Sequence, residues 1–377
     1  MSRFKEKKVK RVGFVGWRGM VGSVLAQRLH EEGDLKRAEF TYFSTSSVGC
    51  THRDIDGSSH TLRDAMSVEQ LAEMDIIITC QGGDYTKAIY GQLRASGWNG
   101  YWIDAASAKR MDSDSIIVLD PINRSRIDAA IDSGVRNFIG GNCSITLSLL
   151  GLAGLFQEDL VEWMSLMTYQ AASGAGAANV KELLAQQAFI SKAIEGDLRS
   201  APVHELLSKA RAASHDPQFP CTEFGAPLAG SLIPWIDTDL GNGMSREEWK
   251  GEVETNKILG LPEGTIKVDG LCVRVPALQS HSAAITLKLR NKVDHQRLES
   301  LISGAHEWVD YVPNEKSSSV RRLSPAAVSG TLRVGVGRLR RLSMGDGEIF
   351  SVMTTGDQLL WGAAEPLRRA LSIVLAR

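Results

Sequence analysis

The sequence predicts an α/β protein of two domains. Short apolar, β-rich runs alternate with helical patterns over residues 1–142, as a parallel sheet with helical crossovers requires. A glycine-rich turn, Gly16 to Gly22, joins the first of these strands to the first helix. After Cys143 the pattern changes to longer strands and amphipathic helices, and 377 residues are ample for two cores. The expected architecture is a Rossmann-like N-terminal domain over 1–142 and a second α/β domain over 143–356, followed by a last helix over 357–377.

Composition narrows the function classes. The chain is 43% hydrophobic and 23% charged, as ordinary globular proteins are. A formal net charge of −1 gives no general attraction to nucleic acid or an anionic membrane, and neither partner is expected. The longest apolar run, Leu147 to Phe156, is far too short to span a bilayer. The basic cluster Lys5, Lys7, Lys8, Lys10 and Arg11 is not followed by a signal-peptide core. Five scattered cysteines without a CxxC pair imply a reducing, cytoplasmic setting, no disulfide framework and no metal site.

In chain order, Val9 to Val15 reads as a buried strand. The turn after it has GxxGxxG spacing, a variant of the dinucleotide fingerprint. Gly16 permits the turn, Gly19 lets a phosphate approach, and Gly22 lets the helix from about Ser23 to His30 pack closely, its N-terminus toward a pyrophosphate. The next strand, Phe40 to Phe43, ends in Ser44-Thr45-Ser46-Ser47. NAD enzymes usually carry a carboxylate there. Hydroxyls with Arg18 nearby suit a 2′-phosphate instead, so NADP is expected. The apolar strand Asp75 to Cys80 ends at Gln81-Gly82-Gly83, at the carboxyl edge where such sheets bind ligands. A helix over Tyr85–Ala95 and strands at Tyr101–Asp104, Ile116–Leu119 and Phe138–Ile139 complete the set. Arg110 lies just past a strand end, where its planar fork could clamp an anion or simply face solvent.

Gly140-Gly141-Asn142-Cys143 leads straight into an apolar run, so a buried helix is expected to start close to Cys143. Unpaired amides and the positive dipole end at a helix start favour thiolate, the nucleophilic form. The alternative is a structural cysteine in a core.

Trp163 to Tyr169 is a strand ending at Gln170, followed by a second glycine loop, Ser173-Gly174-Ala175-Gly176, and helices from about Asn179 to Ala213. Ser245 and Glu248 form a capping box for a helix on which Glu247 and Lys250 share a face. Leu271 to Val275 is a strand with Cys272 and Arg274 on the side opposite the valines. His281 enters the strand that runs to Leu289, as a core histidine or as a base at a cleft. A helix over His295–Ser303, strands at Arg333–Leu342 and Phe350–Thr354, and a final helix bent or broken at Pro366 close the chain.

Taken together these residues resemble the aspartate-semialdehyde dehydrogenases of the bacterial GGNC type. The resemblance rests on Gly16–Gly22, Thr79–Tyr85, Gly140–Cys143, Tyr169–Gly174, Leu228–Trp235, Arg246–Lys250, Asp269–Val275 and Gly356–Pro366, which follow in order along nearly the whole chain. It implies NADPH-dependent reductive dephosphorylation of L-aspartyl-4-phosphate to L-aspartate-4-semialdehyde, on the route to lysine, threonine, methionine and diaminopimelate. It also implies a homodimer whose second domain is catalytic and dimerising, with the last helix (357–377) returning to complete the nucleotide domain. Carried over residue by residue, Cys143 is the nucleophile, His281 the general acid/base, and Gln170 orients the intermediate. Arg274 would hold the substrate carboxylate and Glu247 its ammonium, while Lys250, Arg110 and Asn142 would hold phosphate. The implied NADP contacts are Gly16, Arg18, Gly19, Met20, Val21, Thr45, Ser46, Gln81, Ser173, Gly174, Pro202 and Gln358. Three rivals share some of these features: N-acetyl-glutamyl-phosphate reductase, a thiol hydrolase or acyltransferase, and a non-catalytic NADP-binding sensor.

Overall fold

The computed structural model describes residues 9–377, so Lys5, Lys7 and Lys8 of the basic cluster lie outside the described residues. The chain divides into two units. One comprises the described residues up to Leu150 together with Val253–Thr265 and Leu359–Arg377; the other comprises Gly151–Glu252 and Ile266–Gln358. The first unit thus reaches past Asn142 to Leu150 and takes in Val253–Thr265, which the sequence pattern assigns to the second domain. Buried hydrogen bonds explain this. Asn123 Nδ2 donates to the Ile258 carbonyl, and Glu254 accepts the Asn142 amide, so the segment is sewn to the first sheet's loops.

The first unit is built on a parallel sheet of seven strands. Their order is Arg63–Asp64, Glu39–Ser44, Arg11–Val15, Ile76–Thr79, Tyr101–Asp104, Asn137–Gly140 and Ser115–Val118. Ile76, Ile77 and Ile78 are fully buried, as a strand covered on both faces must be. Helices Met20–Glu31, Gly83–Ala95, Asp120–Asp132 and Glu365–Ala376 connect or cover the strands. The final helix shares a core with Val12, Phe14 and Ile76 through Leu367, Leu371 and Val374. Charged pairs fix its rotation. Arg368 is paired with Asp34 at 2.8 Å and Glu365 at 2.7 Å, and Arg369 grips both Asp120 oxygens at 2.6 Å.

Pro366 does not break this helix, contrary to the expectation from sequence. It falls in the first α-turn, where its missing N–H has no partner to lose, and the irregular part is the π-helical turn Leu360–Ala364 just before it.

The second unit carries a mixed sheet of six strands, in the order Lys267–Arg274, Val161–Gln170, His281–Leu289, Ile349–Gly356, Val334–Arg341 and Val309–Val312. The outermost pairing on each side is parallel and the inner pairings are antiparallel. Along Val161–Gln170, Met164, Leu166, Thr168 and Gln170 are buried while Met167 and Tyr169 are exposed. Exposed Leu271 lies opposite Met167 in register. The sheet therefore shows one apolar face to the outside. Among the described residues no helix is long and apolar enough to cross a membrane.

Candidate active site

In the first unit the glycine turn is built as its spacing requires. Gly16 has φ +76°, and a Cβ there would lie 2.6 Å from the Cys80 carbonyl carbon and the Gln81 nitrogen. A Cβ on Gly22 would lie 2.1 Å from the Gly16 carbonyl oxygen, so the helix can start this close to the turn only with glycine. A cleft of about 350 Å³ opens beside the turn, lined by Gly16, Arg18, Gly19, Ser44, Thr45, Ser46 and Gln81 among others. Arg18 donates to Ser44 Oγ (3.1 Å), Ser46 Oγ (3.2 Å) and Ser47 Oγ (3.2 Å). Ser44 Oγ in turn accepts the amides of Ser46 and Ser47, which shapes the loop. The cleft thus offers a guanidinium and several hydroxyls, and among the described residues no carboxylate lines it. These donors fit a phosphorylated ribose. Met20 and Val21 follow at the start of the helix Met20–Glu31.

The Gly140–Cys143 loop lies in the same unit. The helix begins at Cys143 and runs to Gly151, with Ile145, Leu147, Leu149 and Leu150 buried. Asn142 Oδ1 accepts the amides of Ser144 (3.0 Å) and Ile145 (3.1 Å), a side-chain cap over the first turn. Cys143 itself is partly accessible, unlike the residues on either side of it.

The second unit gathers another set at its strand ends. Gln170 and Arg274 are register partners in the parallel pair, which places both where those strands finish. His281 opens the neighbouring antiparallel strand. Gln170 Nε2 donates to Glu247 Oε1 at 3.0 Å, and Lys250 Nζ reaches Glu247 Oε2 at 3.0 Å and Asp237 Oδ2 at 2.6 Å. The capping box that starts this helix is formed: Glu248 accepts the Ser245 amide and Ser245 Oγ accepts the Glu248 amide. Arg274, also buried, donates through Nη1 to the Ala171 carbonyl at 2.8 Å.

His281 is 2% exposed, and its Nδ1 accepts the Ala171 amide at 3.1 Å. The ring proton of the neutral form is therefore assigned to Nε2, which is buried and has no hydrogen-bond partner among the described residues. Burial pushes the His281 pKa down to about 3, helped by the nearby Arg274 charge and opposed by Glu247 and the Ser280 backbone. Gly174 crosses over this pair. A Cβ there would lie 2.8 Å from Arg274 Nη1 and 2.9 Å from His281 Nε2. Ser280, just before His281, has φ +72° and is held by Gln358 Oε1, while Gln358 Nε2 donates to Ser173 Oγ.

Residues 11–130 match the semialdehyde dehydrogenase NAD-binding domain, and 152–361 match the semialdehyde dehydrogenase dimerisation domain. The structure of aspartate semialdehyde dehydrogenase from Francisella tularensis is 47% identical, with a TM-score of 0.93 over 97% of this chain and 100% of that one. The chain belongs to the aspartate-semialdehyde dehydrogenase family. The fold extends to more distant structures. Aspartate semialdehyde dehydrogenase II from Vibrio cholerae, complexed with ASA, is 23% identical with a TM-score of 0.80, over 98% of this chain and 99% of that one. The enzyme with NADP from Candida albicans is 17% identical with a TM-score of 0.62, over the same shares of each chain.

Among the residues carried over from the aspartate-semialdehyde dehydrogenases, two stand differently from the rest. Arg110 is not a surface arginine but is 6% exposed, with Nε on the Gly140 carbonyl (2.7 Å) and Nη1 on Glu254 (2.8 Å). Pro202 is exposed at the N-terminus of the helix Val203–Ser214, with none of the hydrogen bonds that join Ser173 and Gln358. Sequence reasoning missed Asp237 and Glu254. Asp237 is signalled by nothing local, since its partner Lys250 is 13 residues away and its own backbone is left-handed at φ +71°. Glu254 does carry a signal: with Glu247 and Lys250 it completes one face of the helix Arg246–Leu259.

Proposed function

We propose that this chain converts L-aspartyl-4-phosphate to L-aspartate-4-semialdehyde and phosphate, with NADP(H) as cofactor, on the route to lysine, threonine, methionine and diaminopimelate. The observation that carries the substrate assignment is the buried trio Gln170, Glu247 and Arg274. It offers one carboxylate and one planar cation, a complement for an amino acid with free ammonium and carboxylate groups. An N-acylated substrate would bring no ammonium group for Glu247 to hold.

Cys143 attacks the acyl carbon as thiolate. The C–O bond to phosphate breaks, phosphate leaves with the electron pair, and the acyl group stays on sulfur as a thioester. When bound, NADPH supplies the hydride that takes the acyl group to the aldehyde level. His281 works through Nε2, giving a hydrogen bond to the oxygen that gains negative charge, in a site too buried for water to compete. Gln170 orients that oxygen's carbon. Arg274 holds the α-carboxylate by its fork and Glu247 the α-ammonium, while Lys250, Arg110 and Asn142 hold the phosphate. Arg18, Thr45 and Ser46 hold the 2′-phosphate, and Gly16, Gly19, Met20, Val21 and Gln81 accommodate the rest of the dinucleotide; the family resemblance adds Ser173, Gly174, Pro202 and Gln358 as cofactor contacts. A second copy of the chain covers Met167, Tyr169 and Leu271, giving a homodimer.

The test is a phosphate-dependent NADP reduction assay with aspartate semialdehyde, run beside the N-acetyl-glutamate analogue. Turnover confined to the first substrate is expected; a preference for the second would reject the assignment of Glu247. Ser46→Asp, which sets a carboxylate against the 2′-phosphate, should shift the NADP/NAD preference toward NAD by about 10- to 100-fold. An unchanged cofactor ratio would move the 2′-phosphate site elsewhere.

A further inference from the structure

Glu254 is 1% exposed, and both of its oxygens are used. Oε1 accepts Arg110 Nη1 at 2.8 Å, and Oε2 accepts the Asn142 amide at 2.6 Å. Arg110 closes the ring by donating from Nε to the Gly140 carbonyl. One carboxylate thereby ties Arg110 to both sides of Gly141, in the turn that delivers Cys143. The turn has no slack: a Cβ on Gly141 would lie 2.8 Å from Thr146 Oγ1, and Thr146 Oγ1 itself donates to the Asn142 carbonyl at 2.5 Å.

A buried ion pair is a poor way to gain stability, because desolvating both charges cancels much of their attraction. Well-packed apolar residues would serve a purely structural joint as well. What the carboxylate does that an apolar group cannot is fix the plane of a guanidinium and the direction of a peptide N–H at once. We propose that Glu254 is a positioning residue for phosphate: it sets the spacing and orientation of Arg110 and Asn142, and acts on the reaction only through them. This rests on the reading above that these two residues hold phosphate.

The test uses the full-length protein and inorganic phosphate as probe. Alkylation of Cys143 by iodoacetamide is timed at rising phosphate concentration, which needs no hydride transfer. In the wild type phosphate should slow the reaction. In Glu254→Gln the half-protecting concentration should rise about 10- to 100-fold. The KM for aspartate semialdehyde should stay within about twofold, since Arg274 and Glu247 are untouched. Because part of the effect runs through Arg110, the rise in Glu254→Gln combined with Arg110→Gln should be smaller than the product of the two single rises.

A merely structural Glu254 would lower the thermal midpoint and leave the half-protecting concentration unmoved; that result, or additive effects in the double variant, would overturn the proposal. If Glu254→Gln does not fold, Glu254→Asp keeps the charge but is one methylene too short to span both donors. It should show part of the same rise, and an unchanged value would equally overturn the role. Absence of protection in the wild type is a separate outcome, which would remove the phosphate reading of Arg110 and Asn142 and this inference with it.

Discussion

Cys143→Ser is expected to lower phosphate-dependent oxidation of aspartate semialdehyde by at least about 10⁴-fold. A serine hydroxyl fits the space of the thiol, so the helix Cys143–Gly151 and its Asn142 cap have no reason to change. What is lost is the anion. The helix start can favour a thiolate at neutral pH, but not an alkoxide, whose parent alcohol is far too weak an acid. It also removes a good leaving group, since the thioester must release sulfur as readily as it formed. Rates measured on the purified variant, with NADPH fluorescence quenching as a check that the nucleotide cleft is intact, decide the matter. Quenching should be retained. Substantial turnover would reject the thioester route, and joint loss of turnover and quenching would mean the variant had disturbed the first unit.

The same residue shows how much the sequence reveals. The strand–turn–helix at Arg11–Glu31 was legible because each glycine there has one backbone reason to be glycine, and spacing exposes it. The strand Ile76–Thr79 was legible because burial on both faces leaves an unbroken apolar run. The helix Asp120–Asp132 was not. Its sequence is mostly polar, and only Ile127 and Ile131 among its apolar residues are buried, too few to mark a period. The hairpin Thr51–Arg53 with Ser59–Thr61 was also missed, since neither strand has a buried residue.

The candidate site divides in the same way. Cys143, Gln170, Arg274 and His281 sit at ends of elements, where a polar residue interrupts an apolar pattern and is conspicuous. Asp237 was silent because its meaning lies in its partner Lys250, and the helix-face spacing of Glu254 could not name its partner Arg110, 144 residues away. Arg110 itself looked like a surface residue until that partner was known. A single chain shows which side chains are available, whereas pairing across the sequence is a product of the fold.

His281→Asn is expected to lower turnover by about 10²- to 10⁴-fold and, at the same time, to make the protein less sensitive to acid. The first effect follows from Nε2, the ring nitrogen that carries the proton and has no partner among the described residues. Gly174→Ala should reproduce part of it, because the added Cβ would sit within 2.9 Å of that nitrogen and 2.8 Å of Arg274 Nη1. The second effect follows from burial. His281 in the folded chain has a pKa near 3 against an ordinary 6.5. As pH falls below 6.5 the unfolded chain takes up this proton and the folded chain does not, so folded stability is lost progressively down to about pH 3. Replacing the imidazole removes that loss. Asp104 works in the opposite sense over part of the range. Burial lifts its pKa to about 6 from 3.8, so its contribution to stability falls as pH rises through that window. It is present in both proteins and cancels from their difference. Denaturant midpoints of wild type and variant should therefore converge or cross between pH 7 and pH 4. The kcat/KM profile of the wild type should show no acid limb near pH 6.5 that disappears in the variant. Such a limb would mean that His281 titrates normally in the free enzyme, and that its Nε2 faces water rather than a dry site awaiting an oxyanion.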